Sequence, residues 1–185
     1  MSLEALKILA PPPSEPVAAG TYAQWEHVEE SLGLALPEDY KRFINAYGNG
    51  GFYKSLSIIS PFGRDNSLDS HGNLLRWIKS GSEEYSSMKA SFGRHNPEKF
   101  PFAAYPELGG LLAIGGIETG GIIYYRTQGQ PSQWTIVIYD EEFYEFAECQ
   151  ATLTEFLIEW LEGRFYPPFF FDDVLERDGP PFSHA

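Results

Sequence analysis

The chain has 185 residues, with 26 acidic and 13 basic side chains and a formal net charge of -13, a surface field that repels nucleic-acid phosphates and anionic membranes and suits basic or polar partners. Its single cysteine, Cys149, excludes an internal disulfide, and no run reaches the roughly 18 to 20 apolar residues that span a bilayer, since even residues 108–121 are cut by glycines and Glu118. The start MSLEALKILAPPP lacks the cationic head and long apolar run of a secretory signal, which points to a soluble, cytoplasmic protein of a size that buries one core.

Residues 11–20, PPPSEPVAAG, are rich in proline, so residues 1–20 are expected to form an arm and a semi-rigid linker ahead of a domain over residues 21–165. TYAQWEHVEESLG then reads as a helix, with Thr21 and Gln24 in a capping-box pattern, Tyr22, Trp25, Val28 and Leu32 at helical spacing, and Gly33 as the stop. LALPEDYKRFINAYGNGGF starts a second helix. Pro37 suits its first position, Glu38 and Asp39 suit the positive end of its dipole, and Leu36, Tyr40, Phe43, Ile44 and Tyr47 form its buried face. The run Gly48, Asn49, Gly50, Gly51 is expected to end that helix and reverse the chain.

KSLSIISP, residues 54–61, has the composition of a strand, and HGNLLRWIKSGSEEYSSMKAS carries Leu74, Leu75, Trp77, Ile78, Tyr85 and Met88 in one or two helices. Past the loop NPEKFPFAAYPE come LLAIGGI, GGIIYYRT, WTIVIYD and EFYEFAE, three or four strands whose connections are too short for crossover helices. ATLTEFLIEWLEG closes the core as a helix, with Thr152 and Glu155 as a capping box and Gly163 at the stop. The fold class is therefore α+β, a mostly antiparallel sheet flanked by helices.

Sites of chemistry are sparse. GGIETGG has Gly121 where a phosphate-binding loop carries lysine, and reads as a strand-to-strand turn. His27, His71, His95 and His184 show no metal-ligand spacing, and Cys149 reads as a packing residue. No catalytic, metal or cofactor residues are expected. The tail over residues 166–185, rich in Phe169, Phe170 and Phe171 beside Asp172, Asp173, Glu176 and Asp178, is read as packing back on the domain. Its aromatics and acids are also the composition of a partner-binding patch. Candidate partner-binding residues are Asp140, Glu141 and Glu142 at a strand turn, and Phe169, Phe170, Asp172, Asp173 and Glu176 in the tail.

Three pieces in order, the Trp25 helix, LALPEDYKRFINAYGNGG and ATLTEFLIEWL, make about residues 21–162 resemble the SUKH superfamily of bacterial toxin-immunity proteins and fungal cell-wall synthesis regulators. The resemblance implies a non-enzymatic domain that binds another protein, with Trp25, Leu36, Pro37, Tyr40, Asn49, Gly50 and Gly51 as determinants of the fold. The function it implies is that of a cytoplasmic immunity protein occluding a cognate toxin domain, with no nucleic acid, membrane or cofactor as partner. The alternatives are a regulatory scaffold of the same superfamily and a small carbohydrate-binding protein or hydrolase. A deep cleft with two facing carboxylates and an exposed Trp or Tyr would favour the carbohydrate reading.

Overall fold

The computed structural model describes residues 3–63, 73–142, 144–168 and 180–184. The aliphatic runs form the centre of the sheet as β4 (Gly110–Ile117), β5 (Ile122–Arg126) and β6 (Thr135–Asp140). They are joined on one side by β7 (Glu145–Cys149) and on the other by β2 (Leu56–Ile58), β1 (Gly50–Phe52) and β8 (Phe182–His184), while β3 (Ala103–Ala104) lies beside β4. The order is β7-β6-β5-β4-β2-β1-β8, antiparallel along that path, and among the described strands β3 alone pairs in parallel. The α+β expectation holds.

Alternate residues of a strand point to opposite faces, and here both faces of the central strands are buried. Leu112, Ile123, Tyr125, Ile136 and Ile138 face one core. There they meet α1 (Leu3–Leu9), α2 (Tyr22–Leu32), α3 (Glu38–Tyr47) and α5 (Leu153–Leu161). Leu111, Ala113, Ile122, Tyr124, Val137 and Tyr139 face a second, smaller core. Its cover is α4 (Asn73–Phe92), through Trp77, Tyr85 and Met88, together with Phe100 and Phe102.

The helix ends follow the sequence. Gly33 ends α2 at φ 62 with its N–H bonded to the Glu29 and Glu30 carbonyls, and Thr152 with Glu155 forms the capping box of α5. Thr21 departs from expectation: its hydroxyl donates to Gln24 Oε1 at 2.8 Å and caps no backbone group.

Three expectations change. Residues 3–20 are no free arm, because α1 packs against α3 and α5 with Leu6 and Ala10 fully buried. The Tyr47 hydroxyl donates to the Ala10 carbonyl at 2.6 Å, and the Asn49 N–H donates to the Val17 carbonyl at 2.9 Å. Gly48 makes that approach possible, since a Cβ there would lie 2.0 Å from the Val17 oxygen and its φ is 74. The chain does not reverse at Gly50 and Gly51, which are the first two residues of β1; it turns through Tyr53, Lys54 and Ser55, the three residues between the paired Phe52 and Leu56, with positive φ of 48 and 60 at Tyr53 and Lys54. The strand expected over 54–61 shrinks to β2, because Ser60 leaves the ladder and donates its N–H to Asn49 Oδ1 at 3.0 Å.

Candidate functional site

On the second face, α4 crosses the central strands, and the described residues leave β2, β1 and β8 uncovered there. Strand register sets the floor of the resulting groove. Phe52, Leu56 and Phe182 point into the first core, so their neighbours Gly51, Ser57 and Ser183 point the other way. Gly51 lies opposite Ser57 and Ser183, and Ser57 lies opposite Gly116, which lines up four small residues on four strands. Trp77 of α4 forms the wall. Its Nε1 donates to the Gly115 carbonyl at 3.3 Å, and a Cβ at Gly116 would meet its ring at 3.3 Å. The open groove has a volume of about 510 Å³.

Three carboxylates rim it: Glu84 from α4, Glu118 from the β4–β5 turn and Glu141 from the turn after β6. Lys54 from the hairpin tip and His184 from β8 complete the lining. Glu84, Glu118 and Glu141 are exposed, and among the described residues none has an ion-pair partner. Partial loss of solvent, and then the charge of Glu141, raises the Glu84 carboxyl above its ordinary range. Beneath them the Tyr124 hydroxyl is fully buried with no hydrogen-bond partner, and burial followed by the charges of Glu84 and its neighbours pushes it far up. The arrangement concentrates uncompensated negative charge beside an indole, the composition that receives a cation.

Of the candidate partner-binding residues, Glu141 lies on the groove and Glu142 is exposed beside it. Asp140 is corrected: it is the last residue of β6, paired with Glu145 and 4% exposed, because the strand end is covered rather than looped out. Phe169, Phe170, Asp172, Asp173 and Glu176 lie outside the described residues. Trp77, Glu84 and Glu118 were missed; the only trace of them in the sequence was an acid in the GGIETGG turn and a tryptophan on a helix.

The motif residues sit inside the fold. Trp25 is 3% exposed, donates Nε1 to Asn45 Oδ1 at 2.9 Å and packs edge-on against Tyr40 and Phe62. Leu36 is buried, Pro37 precedes α3 as its N-cap, and the Tyr40 hydroxyl donates to the Ile59 carbonyl. Asn49 ties β1 to Ser60, and Gly50 and Gly51 open β1. Gly51 also belongs to the groove floor.

Among the described residues no three His, Cys, Asp or Glu side chains converge closely enough to hold a metal ion. Cys149 is buried with its thiol donating to Glu159 Oε2 at 3.5 Å. Burial, reinforced by Glu159, pushes that thiol up to about 12. Among the described residues no helix is long and apolar enough to cross a membrane.

The sequence profile of SUKH_6, the SMI1-KNR4 cell-wall family, matches residues 23–157. No curated protein and no solved structure matches the chain. The match runs from the Trp25 helix, through the central strands, to the middle of α5, most of the chain and all of the groove's frame except β8. This chain therefore belongs to the SMI1-KNR4 cell-wall family of the SUKH superfamily.

Proposed function

We propose that the chain is a non-enzymatic protein-binding domain, an immunity protein that neutralises a cognate toxin by direct binding. The family supports a SUKH-type binding domain, and the observation that carries the reading is the groove rimmed by Glu84, Glu118 and Glu141 on a chain of net charge -13. Inhibition by occlusion needs complementary shape and charge over roughly 800 Å² per partner and no catalytic group on the inhibitor. The decisive experiment is co-expression with the product of the neighbouring upstream gene: if that product is the cognate toxin, cells survive with this chain and die without it. Equal killing with and without the chain rejects the reading. Steering is checked in the same pair, because Glu141→Lys/Glu142→Lys should slow association at low salt and converge with wild type as the Debye length falls from about 10 Å at 0.1 M to about 3 Å at 1 M.

One observation favours a second reading. Glu84 and Glu141 share the groove with Trp77, and the raised Glu84 carboxyl is what a glycan-processing acid requires. Turnover of a defined oligosaccharide by wild type, lost in Glu84→Gln, would replace the binding role with a hydrolytic one. The cell-wall description of the family keeps the regulatory-scaffold role as the alternative within protein binding. There the chain would bind cellular proteins and protect against no toxin.

A further inference from the structure

We propose that the groove takes one arginine side chain, carried on an exposed loop of the protein partner, stacked on Trp77 and held by Glu84 and Glu141. This rests on the protein-binding reading and specifies the chemistry of its partner.

Charge is laid out across the groove. The hairpin tip with Lys54, the β4–β5 turn with Glu118 and the turn after β6 with Glu141 lie at the same end of the sheet, in the lateral order β2, β4, β5, β6. Three strand spacings of about 4.8 Å separate β2 from β6, about 14 Å in all. The acidic end, where α4 adds Glu84, is thus well apart from Lys54. A cation is drawn to the α4 side, and Lys54 repels a second one from the other end.

Several occupants fit less well. The carboxylates do not converge as ligands of one metal ion must. A glycan would draw on the donors Lys54, Ser57 and Ser183, which sit on the β1–β2 hairpin and β8, across the groove from Glu84 and Glu141. A long cationic side chain fits both the spread of the acids and the indole wall. Arginine fits better than lysine, since its planar guanidinium stacks on an aromatic face while donating two parallel bonds to a carboxylate.

The floor admits the backbone that carries such a residue. Gly51, Ser57, Gly116 and Ser183 project little above the sheet. The volume of about 510 Å³ exceeds what one side chain needs and falls in the range of about 300–1,000 Å³ seen for ligand sites. Behind the rim, the Tyr124 hydroxyl is buried under α4 without a hydrogen-bond partner, 4.0 Å from where a side chain at Gly81 would begin, in the second core and outside the groove lining.

The test titrates the full chain, isotopically labelled, with N-acetyl-Gly-Arg-Gly-amide at low salt. In parallel go the lysine analogue, spermidine and chitotriose, with amide and indole resonances as the readout. The expected result is a saturable shift of the Trp77 indole and of the Gly51 and Gly116 amides by the arginine peptide. Glu84→Gln/Glu141→Gln should weaken it by about tenfold, a change of 1.4 kcal/mol in binding. Trp77→Leu should erase the preference for arginine over lysine, with thermal melts confirming that both variants fold. Absence of shifts at these residues, equal saturable binding of spermidine, or stronger binding of chitotriose overturns the proposal. Co-expression separates this from the functional reading. If Glu84→Gln/Glu141→Gln loses the peptide yet still protects cells, the arginine site is rejected and the immunity role stands. If wild type protects no cells while the arginine peptide binds the groove as described, the immunity role is rejected and the site stands.

Discussion

Asp39 caps the first turn of a distant helix at Thr154, 115 residues on: its Oδ2 accepts the backbone N–H of Thr154 at 2.8 Å and its Oδ1 accepts the Thr154 hydroxyl at 2.6 Å. Asp39 stands in the first turn of α3 and Thr154 in the first turn of α5, so one carboxylate serves the positive ends of two helices. This bond ties LPEDY to ATLTEFLIEWL, two of the pieces that carry the family resemblance.

Removing Asp39 strands the Thr154 N–H and hydroxyl, because Thr154 is 1% exposed. Asp39→Ala should therefore cost about 1–3 kcal/mol in urea denaturation. Combined with Thr154→Ala, the double-mutant cycle should show a coupling of at least about 0.5 kcal/mol. Strict additivity would mean that the two helices dock independently of this bond.

Tyr40 and Phe43 are fully buried on α3, so Tyr40→Ala and Phe43→Ala should each cost about 3–5 kcal/mol. Tyr40→Phe removes only the hydrogen bond to the Ile59 carbonyl and should cost about 1 kcal/mol. Glu38, exposed and paired with Lys41 and Arg42, should cost less than about 1 kcal/mol as alanine. A Tyr40→Ala variant that melts like its parent but loses its partner would make the motif a binding surface instead.

Leu6 decides whether the N-terminal residues belong to the fold. It has no exposed area in its pocket against α3 and α5, so Leu6→Ala should cost about 2–5 kcal/mol. An arm on a linker would show no change in the urea midpoint.

What the sequence announced and what it hid divide by the range of the forces involved. α2, α3 and α5 carry their own periodicity and stops, and β4, β5 and β6 are long enough for aliphatic runs to show. β1, β2 and β8 have three residues each, too few for any pattern, and exist because neighbours complete their ladders. α1 read as an arm because one buried leucine in seven residues is no signal; its docking is tertiary. The groove was illegible for the same reason. Trp77, Glu84, Glu118 and Glu141 come from one helix and two turns and meet only through sheet order, whereas Glu141 alone stood in a visible acidic cluster.

Cys149 should resist thiol reagents in the native state at pH 8. Its pKa rises from 9.0 to about 12 when folded, first through burial and then through Glu159. The folded chain thus keeps a proton that the unfolded chain releases. The stability this contributes is complete below pH 9 and is lost as pH rises toward 12. Glu159→Gln should speed labelling by Ellman's reagent at pH 8, and a wild-type thiol that reacts as fast as a free cysteine would contradict the assignment.

The pairing of β1 with β8 has a consequence for how the protein is made. Gly50–Phe52 leave the ribosome early, yet their second neighbours, Phe182–His184, are synthesised after every other strand of the sheet. Until then β1 shows a bare row of amides and carbonyls to the cell, and Tyr47 and Phe52 lack the aromatic lid that Phe182 later supplies at 5.0 and 5.2 Å. Stalled or truncated translation products of this chain should therefore be its most aggregation-prone form, and a chaperone would find its target at the first hairpin rather than at the long central strands.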